Sequence, residues 1–273
     1  MKQSVQVVTQ PFGEPLSLGE VQEHVRQQAG LDDSVLLGLI ATVRKMCENQ
    51  TGHHILGTRL KQVLDGFDYP MHLIRYPFLN LEKIRYLDMG GVWQDVDPNI
   101  YVVDKSSEPC RISPAFSSIY PIPRPQAASV EITFIAGFAS VFTVDSVRNA
   151  IVIKGPWIQY AVGDSITFSS SRVTEPSGAS SPALPAPLVA QTEYFVVEVL
   201  APNVYRIAES KDGTALTLGT PHADGVCFVG EIPADLCAWM KIRLASIYAN
   251  READTDHTYT DHLLDAYVGG RLY

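Results

Sequence analysis

The sequence predicts an α+β protein, in which a helical host domain with a small β-sheet carries an inserted all-β domain that is a β-sandwich or barrel-like. Three observations lead to this class. Apolar residues recur at helical spacing near both ends of the chain, and they alternate with period two in several segments between. No helical period occurs in the stretch 140–230. The predicted domains are therefore a discontinuous host, residues 1–139 and 231–273, and an insert, residues 140–230.

Three helices are predicted in the host. Ser17 and Glu20 have the spacing of a capping box, which predicts the start of the first helix. The second should begin near Asp33 and stop at Gly52, a typical C-terminal glycine. The third should run from about Ala234 to Asn250. We expect the second and third helices to pack together and to bury Leu36, Leu39, Ile40, Val43, Leu244 and Ile247.

The remaining host segments have the period of β-strands. Residues 55–67, 81–87 and 130–135 alternate between apolar and polar side chains. Four prolines within residues 113–126 predict an extended loop. In the insert, short strands separated by turns are predicted at residues 192–199, 204–207 and 215–218.

Composition narrows the possible functions. The 273-residue chain has a formal net charge of −9 and no basic run, which disfavours generic binding to DNA or RNA. Its four cysteines are scattered without metal-binding spacing, as expected for reduced thiols. The first residues lack the apolar core of a signal peptide, and no stretch has the length of a membrane helix. We therefore expect a soluble protein that is made in the cytoplasm of a cell and has no membrane partner.

Two acidic segments invite a metal-binding interpretation. The first, near the C-terminus, contains Asp254, Asp256, His257, Asp261 and His262. It has no HExxH motif and no evident scaffold, so a solvated acidic segment is the preferred interpretation. The second, residues 95–99, begins like a calcium loop, but Ile100 stands where such a loop needs a glycine for its turn.

Catalytic motifs are also missing from the sequence. It contains no GxSxG elbow for a nucleophilic serine and no glycine-rich phosphate loop. The run Ser169–Ser171 is interpreted as strand or turn, and His53 and His54 as ordinary turn histidines after a helix stop. We therefore expect no enzyme activity, no cofactor and no metal; a zinc or carboxylate enzyme is the third and last functional alternative.

Three stretches of the host share their order and spacing with a known family. They are residues 7–26, residues 48–88, and residues 132–138 continued at 232–253. In the first, a proline-containing strand leads into a helix ending His24-Val25-Arg26. The third joins Ile132-Thr133-Phe134-Ile135-Ala136-Gly137-Phe138 to Ile232-Pro233-Ala234-Asp235-Leu236. Together they resemble the head–tail connector family (adaptor or head-completion proteins) of long-tailed bacteriophages.

The resemblance implies a helical connector host domain and a structural role in the virion, at the head–tail junction. It implies a homo-oligomeric ring, a dodecamer, that docks onto the portal protein and presents a platform to the next neck or tail-completion protein. Packaged DNA would pass through the lumen without sequence-specific binding, and an acidic surface suits such an exit channel. The resemblance implies no catalytic residues.

The inserted segment supports a second functional reading. Residues 163–168 and 184–208 resemble, more loosely, β modules common in phage virion proteins. Because such β domains sometimes decorate the particle, the alternative to a ring adaptor is a virion decoration or receptor- or carbohydrate-binding module centred on the insert.

The C-terminal tail is the predicted docking element. The resemblance suggests that this end reaches toward the portal, and the tail is rich in aspartate with little surface to form a core of its own. The residues expected to dock in a partner groove are Leu263, Leu264, Tyr267, Leu272 and Tyr273. Under this hypothesis residues 254–273 are disordered or detached in the free subunit and become ordered in the assembled neck. The alternative is an ordinary final helix packed on its own subunit.

Overall fold

The computed structural model describes residues 4–28, 30–156, 158–171, 184–220, 226–250 and 262–268. Within these residues lie fourteen β-strands and four α-helices. The helices are α1 (Leu18–Val25), α2 (Asp33–Thr51), α3 (Ala234–Ala249) and α4 (Asp265–Val268). None of the described helices is both long and apolar enough to cross a membrane.

A five-stranded antiparallel sheet forms the centre of the fold. Its strands, in spatial order, are β1 (Ser4–Thr9), β2 (Thr58–Leu64), β8 (Val130–Ala136), β4 (Phe78–Leu87) and β5 (Trp93–Asp95). Strand β8 is buried along its whole length. One of its faces carries Ile132 and Phe134 into an apolar core. On the opposite face the Glu131 carboxylate bonds Lys61 at 3.2 Å and Arg85 at 2.6 Å, so this buried acid is neutralised from both neighbouring strands.

A smaller sheet covers the first face of β8. Its strands, in spatial order, are β3 (Met71–His72), β7 (Arg111–Pro114) and β6 (Tyr101–Asp104). Ile112 of β7 and Met71 of β3 are fully buried in the same core as Ile84 and Phe134 of the larger sheet. The two sheets therefore enclose one apolar layer between them.

The stretch 139–230 forms a closed six-stranded barrel. Its strands are β9 (Ala139–Asp145), β10 (Ala150–Ile153), β11 (Ser165–Ser170), β12 (Glu193–Ala201), β13 (Val204–Ala208) and β14 (Cys227–Gly230). They close in the order β10-β13-β12-β11-β14-β9, and β9 pairs again with β10. The interior is filled by aromatic side chains, among them Phe142 and Phe168, whose ring centroids lie 5.1 Å apart.

The helices form a third layer in which α2 packs on α3. The capping box of α1 is present, and α2 ends at Gly52 in the left-handed conformation, as predicted. Four of the side chains expected at the α2–α3 contact are buried, and two, Leu39 and Ile247, are partly buried. The buried four are Leu36, Ile40, Val43 and Leu244.

The three cores meet in one short stretch of chain. Ile135 belongs to the barrel core, Ala136 to the core between the sheets, and Ala139 to the helical core. Gly137 lies between them with φ +153°, and a Cβ there would come within 2.5 Å of the Leu56 carbonyl carbon. Since that approach is far inside van der Waals contact, only glycine fits this position.

The prediction of a helical connector host domain with a small sheet is wrong. The protein is mostly β, with three sheets, and the four helices described have 8, 19, 16 and 4 residues. The period-two segments 55–67, 81–87 and 130–135 contribute to one large central sheet rather than to a minor one. Strands β3 and β7 pair across about forty residues of chain, and local periodicity carries no information about such a pairing.

We propose that the barrel is an insert that can be removed. Its first and last residues are neighbours, because Ala139 pairs with Gly230. A chain that joins Ala139 to Glu231 through a short linker should stay soluble and keep its helical circular dichroism. It should be less stable than the full chain, because Val141 and Phe228 belong to the helical core and are lost. Loss of the helical signal would contradict the insert boundaries.

Candidate functional site: the seat of the C-terminal helix

The C-terminal helix α4 rests on its own subunit. It follows a 3₁₀ turn, His262–Leu264, and Leu264 at the end of that turn has no exposed surface. The side chain lies in the helical core with Met240 and Leu244 of α3. One leucine from the end of the chain therefore completes a core built mainly by α2 and α3.

A second contact fixes the orientation of α4. The hydroxyl of Tyr267 donates to both carboxylate oxygens of Asp235, at 2.8 and 3.0 Å. Asp235 lies in the first turn of α3, where the helix dipole stabilises a negative charge. Burial raises the pKa of Tyr267, and the Asp235 carboxylate raises it further. Tyr267 is therefore a protonated donor at neutral pH.

Two aromatic rings, His53 and Phe138, contact the Tyr267 ring. His53 and Phe138 stack with their ring centroids 5.5 Å apart, and Tyr267 meets His53 edge-on at 5.4 Å. Tyr76 meets the other side of His53 at 4.3 Å. Edge-to-face contacts of this kind add stabilisation of about 0.5–1.5 kcal/mol each beyond buried area. We call the three residues that contact Tyr267 directly, His53, Phe138 and Asp235, the α4 seat.

His53 is held mostly uncharged in the α4 seat. Burial lowers its pKa, although Glu108, 3.4 Å from Nε2, acts in the opposite direction. The Nδ1 atom lies 3.3 Å from the carbonyl oxygen of Thr51. A neutral ring that packs between aromatic groups suits a structural contact better than proton transfer.

The nearby thiols are poor nucleophiles. Burial raises the pKa of Cys47 to about 12 and that of Cys237 to about 11. Both are therefore protonated at neutral pH, whereas nucleophilic attack needs the thiolate. The arrangement can hold a helix in place, and its chemistry is that of packing and hydrogen bonding.

The predicted docking residues fall into three groups. Leu264 and Tyr267 contact their own subunit, as in the alternative of a packed final helix. Leu263 is 36% exposed and is free to contact a partner. Leu272 and Tyr273 lie outside the described residues.

The candidate metal and nucleophile positions have ordinary partners where the structure describes them. Within the described residues, no group of three or more His, Cys, Asp or Glu side chains could hold a metal ion. His262 contacts Asp265 at 3.1 Å, and Asp97 caps a 3₁₀ turn through the amide of Asn99. Ser169 donates to the carbonyl of Gly230 at 2.7 Å. The other four residues of the C-terminal acidic cluster, Asp254, Asp256, His257 and Asp261, fall in segments that the structure leaves undescribed.

Sequence reasoning missed the α4 seat itself. His53 was interpreted as a turn histidine, and Phe138 and Asp235 only as parts of a family pattern. The available signal was that all three occur at ends of elements: after α2, after β8 and at the start of α3. Side chains at such ends can converge, but nothing in the sequence indicates that they converge on α4.

A buried ion pair lies in the C-terminal half of α2. The Arg44 guanidinium bonds both oxygens of Glu14, at 2.7 and 3.1 Å, and bonds Glu48 at 3.1 Å. Arg44 is 5% exposed and Glu48 8% exposed, so this pair is buried. Burial alone would raise the pKa of Glu48, but the charges of His54 and Arg44 and the Ile55 amide hold it below its usual range. The network fastens α2 to the segment before α1 and to the chain leaving α2.

An open cleft separates α1 and α3 from the barrel. Its volume is about 520 Å³. Leu16, Phe228 and Ile232 form its apolar floor, and α3 contributes the small side chain of Ala238 and the partly exposed Ile242. Glu20, Lys241 and Glu231 line it as well, and the first two form an ion pair at 2.8 Å. The cleft is thus apolar with charged groups among its lining residues.

We predict that Leu264→Ala lowers the free energy of unfolding by about 2–5 kcal/mol, because a fully buried leucine leaves a cavity. Leu263→Ala is the matched control, since the neighbouring leucine is 36% exposed and should change stability by about 0.5 kcal/mol or less. Chemical denaturation of both variants measures the difference. Equal stability of the two variants would mean that α4 is detached in solution.

We also predict that Glu48→Gln destabilises the protein by about 1.5–3 kcal/mol at pH 7, because the buried Arg44 charge loses one of its two carboxylate partners and keeps only Glu14. Since the folded-state pKa of Glu48 is depressed, its stabilisation is complete above the unfolded pKa, near 4.3, and is lost as the pH falls through the folded pKa. The difference in the free energy of unfolding between wild type and Glu48→Gln should therefore decrease below about pH 4.

The control for this substitution is Glu198→Gln, which removes an exposed partner of Arg206. It should change the free energy of unfolding by less than about 1 kcal/mol at any pH. Denaturation curves between pH 3 and 7 make the comparison. A gap for Glu48→Gln that does not depend on pH would contradict the assignment of an ionised Glu48.

No protein-family model matches the chain, and neither does any curated protein. Several chains of solved structures do match it. A chain of the neck of the empty gene transfer agent particle, computed with C6 symmetry, has a TM-score of 0.54 at 15% identity, covering 99% of this chain and 97% of that one. A chain of the native gene transfer agent virion has a TM-score of 0.55 at 15% identity, covering 98% and 97%. A chain of the native particle's neck, computed with C12 symmetry, has a TM-score of 0.53 at 15% identity, covering 99% and 97%. At this identity the likeness establishes a shared fold.

Proposed function

We propose that this protein is a structural subunit of the neck of a phage-type particle, located in the virion at the head–tail junction. The observation that carries the proposal is the extent of the likeness: one fold matches neck chains over 99% of this chain and 97% of theirs. The whole arrangement, with both sheets, the barrel and the helices, is therefore matched, and not a common motif alone. The connector-like segments of the sequence support the same role independently.

The proposed assembly is a homo-oligomeric ring, a dodecamer. The similar neck chains come from particles computed with C6 and C12 symmetry, and both symmetries are compatible with twelve copies around an axis. The net charge of −9 suits a lumen that lets DNA pass without binding it. The role is structural rather than enzymatic, which agrees with a site made of packing contacts and protonated thiols.

For the contact with the portal protein we propose the C-terminal tail. Leu264 in the helical core and Tyr267 on the α4 seat anchor its base, which leaves Leu263, together with Leu272 and Tyr273, to meet the partner. Anchoring of the base lowers the entropy that docking must overcome, because fewer residues remain to be ordered. The opposite face of the ring would receive the next neck or tail-completion protein.

We expect the purified full-length chain to form rings with a central hole in electron micrographs, and these rings to attach to DNA-filled heads that carry the portal. Leu263→Asp should form the same rings with unchanged thermal stability but attach poorly, since a charge replaces an exposed apolar contact. Native mass spectrometry gives the copy number, and co-sedimentation with heads measures attachment.

The control is Val147→Asp, which places the same charge at a 93% exposed barrel position. It should form rings and attach like the wild type. A wild-type chain that stays monomeric at high concentration would contradict the proposed role. Rings of Leu263→Asp that attach normally would contradict the proposed docking segment alone.

A further inference from the structure

A proline-rich segment projects unusual apolar surface into solvent. We call residues 114–126 the proline arm. Phe116 is 99% exposed, Ile119 85% and Ile122 81%. Single exposed apolar residues are common on proteins, but three large ones on one short segment mark a surface that another molecule covers.

The proline arm is held by contacts before, within and after its exposed stretch, beginning with the Ala115 amide, which donates to the Ile100 carbonyl at 2.9 Å. The Tyr120 ring stacks on Phe67 with centroids 4.5 Å apart, and the Arg124 amide donates to the Leu87 carbonyl at 2.8 Å. Phe116 lies at a turn in which the amide of Ser118 bonds the carbonyl of Ala115 at 2.9 Å. The arm is therefore presented by fixed contacts to the central sheet, with little entropy left to lose on docking.

Its prolines also order the exposed side chains. Pro121 and Pro123 fix φ near −65° and favour the polyproline II conformation, which has three residues per turn. Ile119 and Ile122 are three residues apart, so this conformation brings them onto one side. Preformed segments of this type bind grooves lined by apolar side chains.

The same chain offers a cleft of matching character. The cleft of about 520 Å³ between α1, α3 and the barrel falls in the range of sites that bury small ligands or single aromatic side chains. Its floor is apolar, and Ala238 leaves room beside Ile242, which is 37% exposed. No residue of the proline arm lines the cleft, and the arm's own contacts are with the central sheet and the smaller sheet. Arm and cleft are therefore separate surfaces of one subunit.

The charges of arm and cleft are complementary. Arg124 is the one charged residue of the proline arm, and within the described residues it forms no ion pair. Glu231 lines the cleft, where its carboxylate accepts a bond from Gln191 at 2.6 Å and has no cationic partner among the described residues. A cation on the arm and an unpaired anion beside the cleft fit a contact between two copies.

We propose that in the ring the proline arm of one subunit docks in the cleft of the next, with Phe116 and Ile119 against the apolar floor and Arg124 near Glu231. A contact between two different surfaces of the same chain repeats from copy to copy and closes into a ring when the rotation allows. The inference rests on the proposed function, because it names the contact that builds that ring.

The first test is the assembly of the full-length chain with Phe116→Ala, measured by mass photometry over a range of concentrations. The concentration for half-assembly should rise at least ten-fold, because Phe116 is the aromatic anchor of the proposed contact. Folding should be unaffected, because the side chain is 99% exposed. Val147→Ala, at a 93% exposed position, is the control and should assemble like the wild type.

The second test locates the partner surface. Two variants, Phe116→Cys and Ile242→Cys, are tagged differently, mixed, assembled and oxidised mildly; both carry Cys237→Ala, because the native Cys237 also lines the cleft. A disulfide should join the two different tags, because each arm meets the cleft of another chain. Replacing Ile242→Cys in the mixture by Val147→Cys should abolish that product.

The outcomes separate this inference from the proposed function. Rings of wild type together with normal rings of Phe116→Ala overturn the inference and leave the ring role intact. Loss of rings in Phe116→Ala without the mixed disulfide means that the arm meets another surface, and this also overturns the inference. A wild-type chain that never forms rings contradicts both.

Discussion

The fold depends on one close backbone contact, between residues 55–57 and residues 137–139. The amide of Phe138 bonds the carbonyl of Ile55 at 3.2 Å, and the amide of Gly57 bonds the carbonyl of Ala139 at 2.8 Å. These bonds hold the end of the central sheet, the start of the barrel and the chain leaving α2 together. Since Gly137 allows no side chain, the distance between the two segments is set by the backbone itself.

That backbone contact also helps to position residues of the candidate functional site. Phe138 is positioned by it, and His53 follows α2 only two residues before Ile55. The α4 seat thus takes one ring from each side of the junction, while Asp235 comes from the helix that follows the barrel. The position of the proline arm also depends on the central sheet. One anchor, Phe67, lies in the loop that follows β2, and the other, Leu87, is the last residue of β4.

Local signals in the sequence predicted local structure well. The serine and glutamate of the α1 capping box and the glycine after α2 each act within a few residues, and the structure has both features. The failure concerned how strands combine. Pairing of β1 with β2, or of β3 with β7, depends on contacts between segments far apart in the chain. The extent of β-sheet in the host domain was therefore underestimated. The candidate site shows the same division: the apolar and aromatic character of Leu264 and Tyr267 was visible, but the seat that receives Tyr267 draws on residues from three separate elements.

The α4 seat forms only when distant parts of the chain have folded together. Its parts come from the segment after α2, the segment after β8 and the first turn of α3, and these lie in place only when sheet, barrel and helices have all come together. If the barrel is unfolded, or the contact between residues 55–57 and 137–139 is not formed, the residues that bind α4 do not come together. The packing of α4 therefore depends on long-range contacts with several parts of the fold rather than on its own four residues.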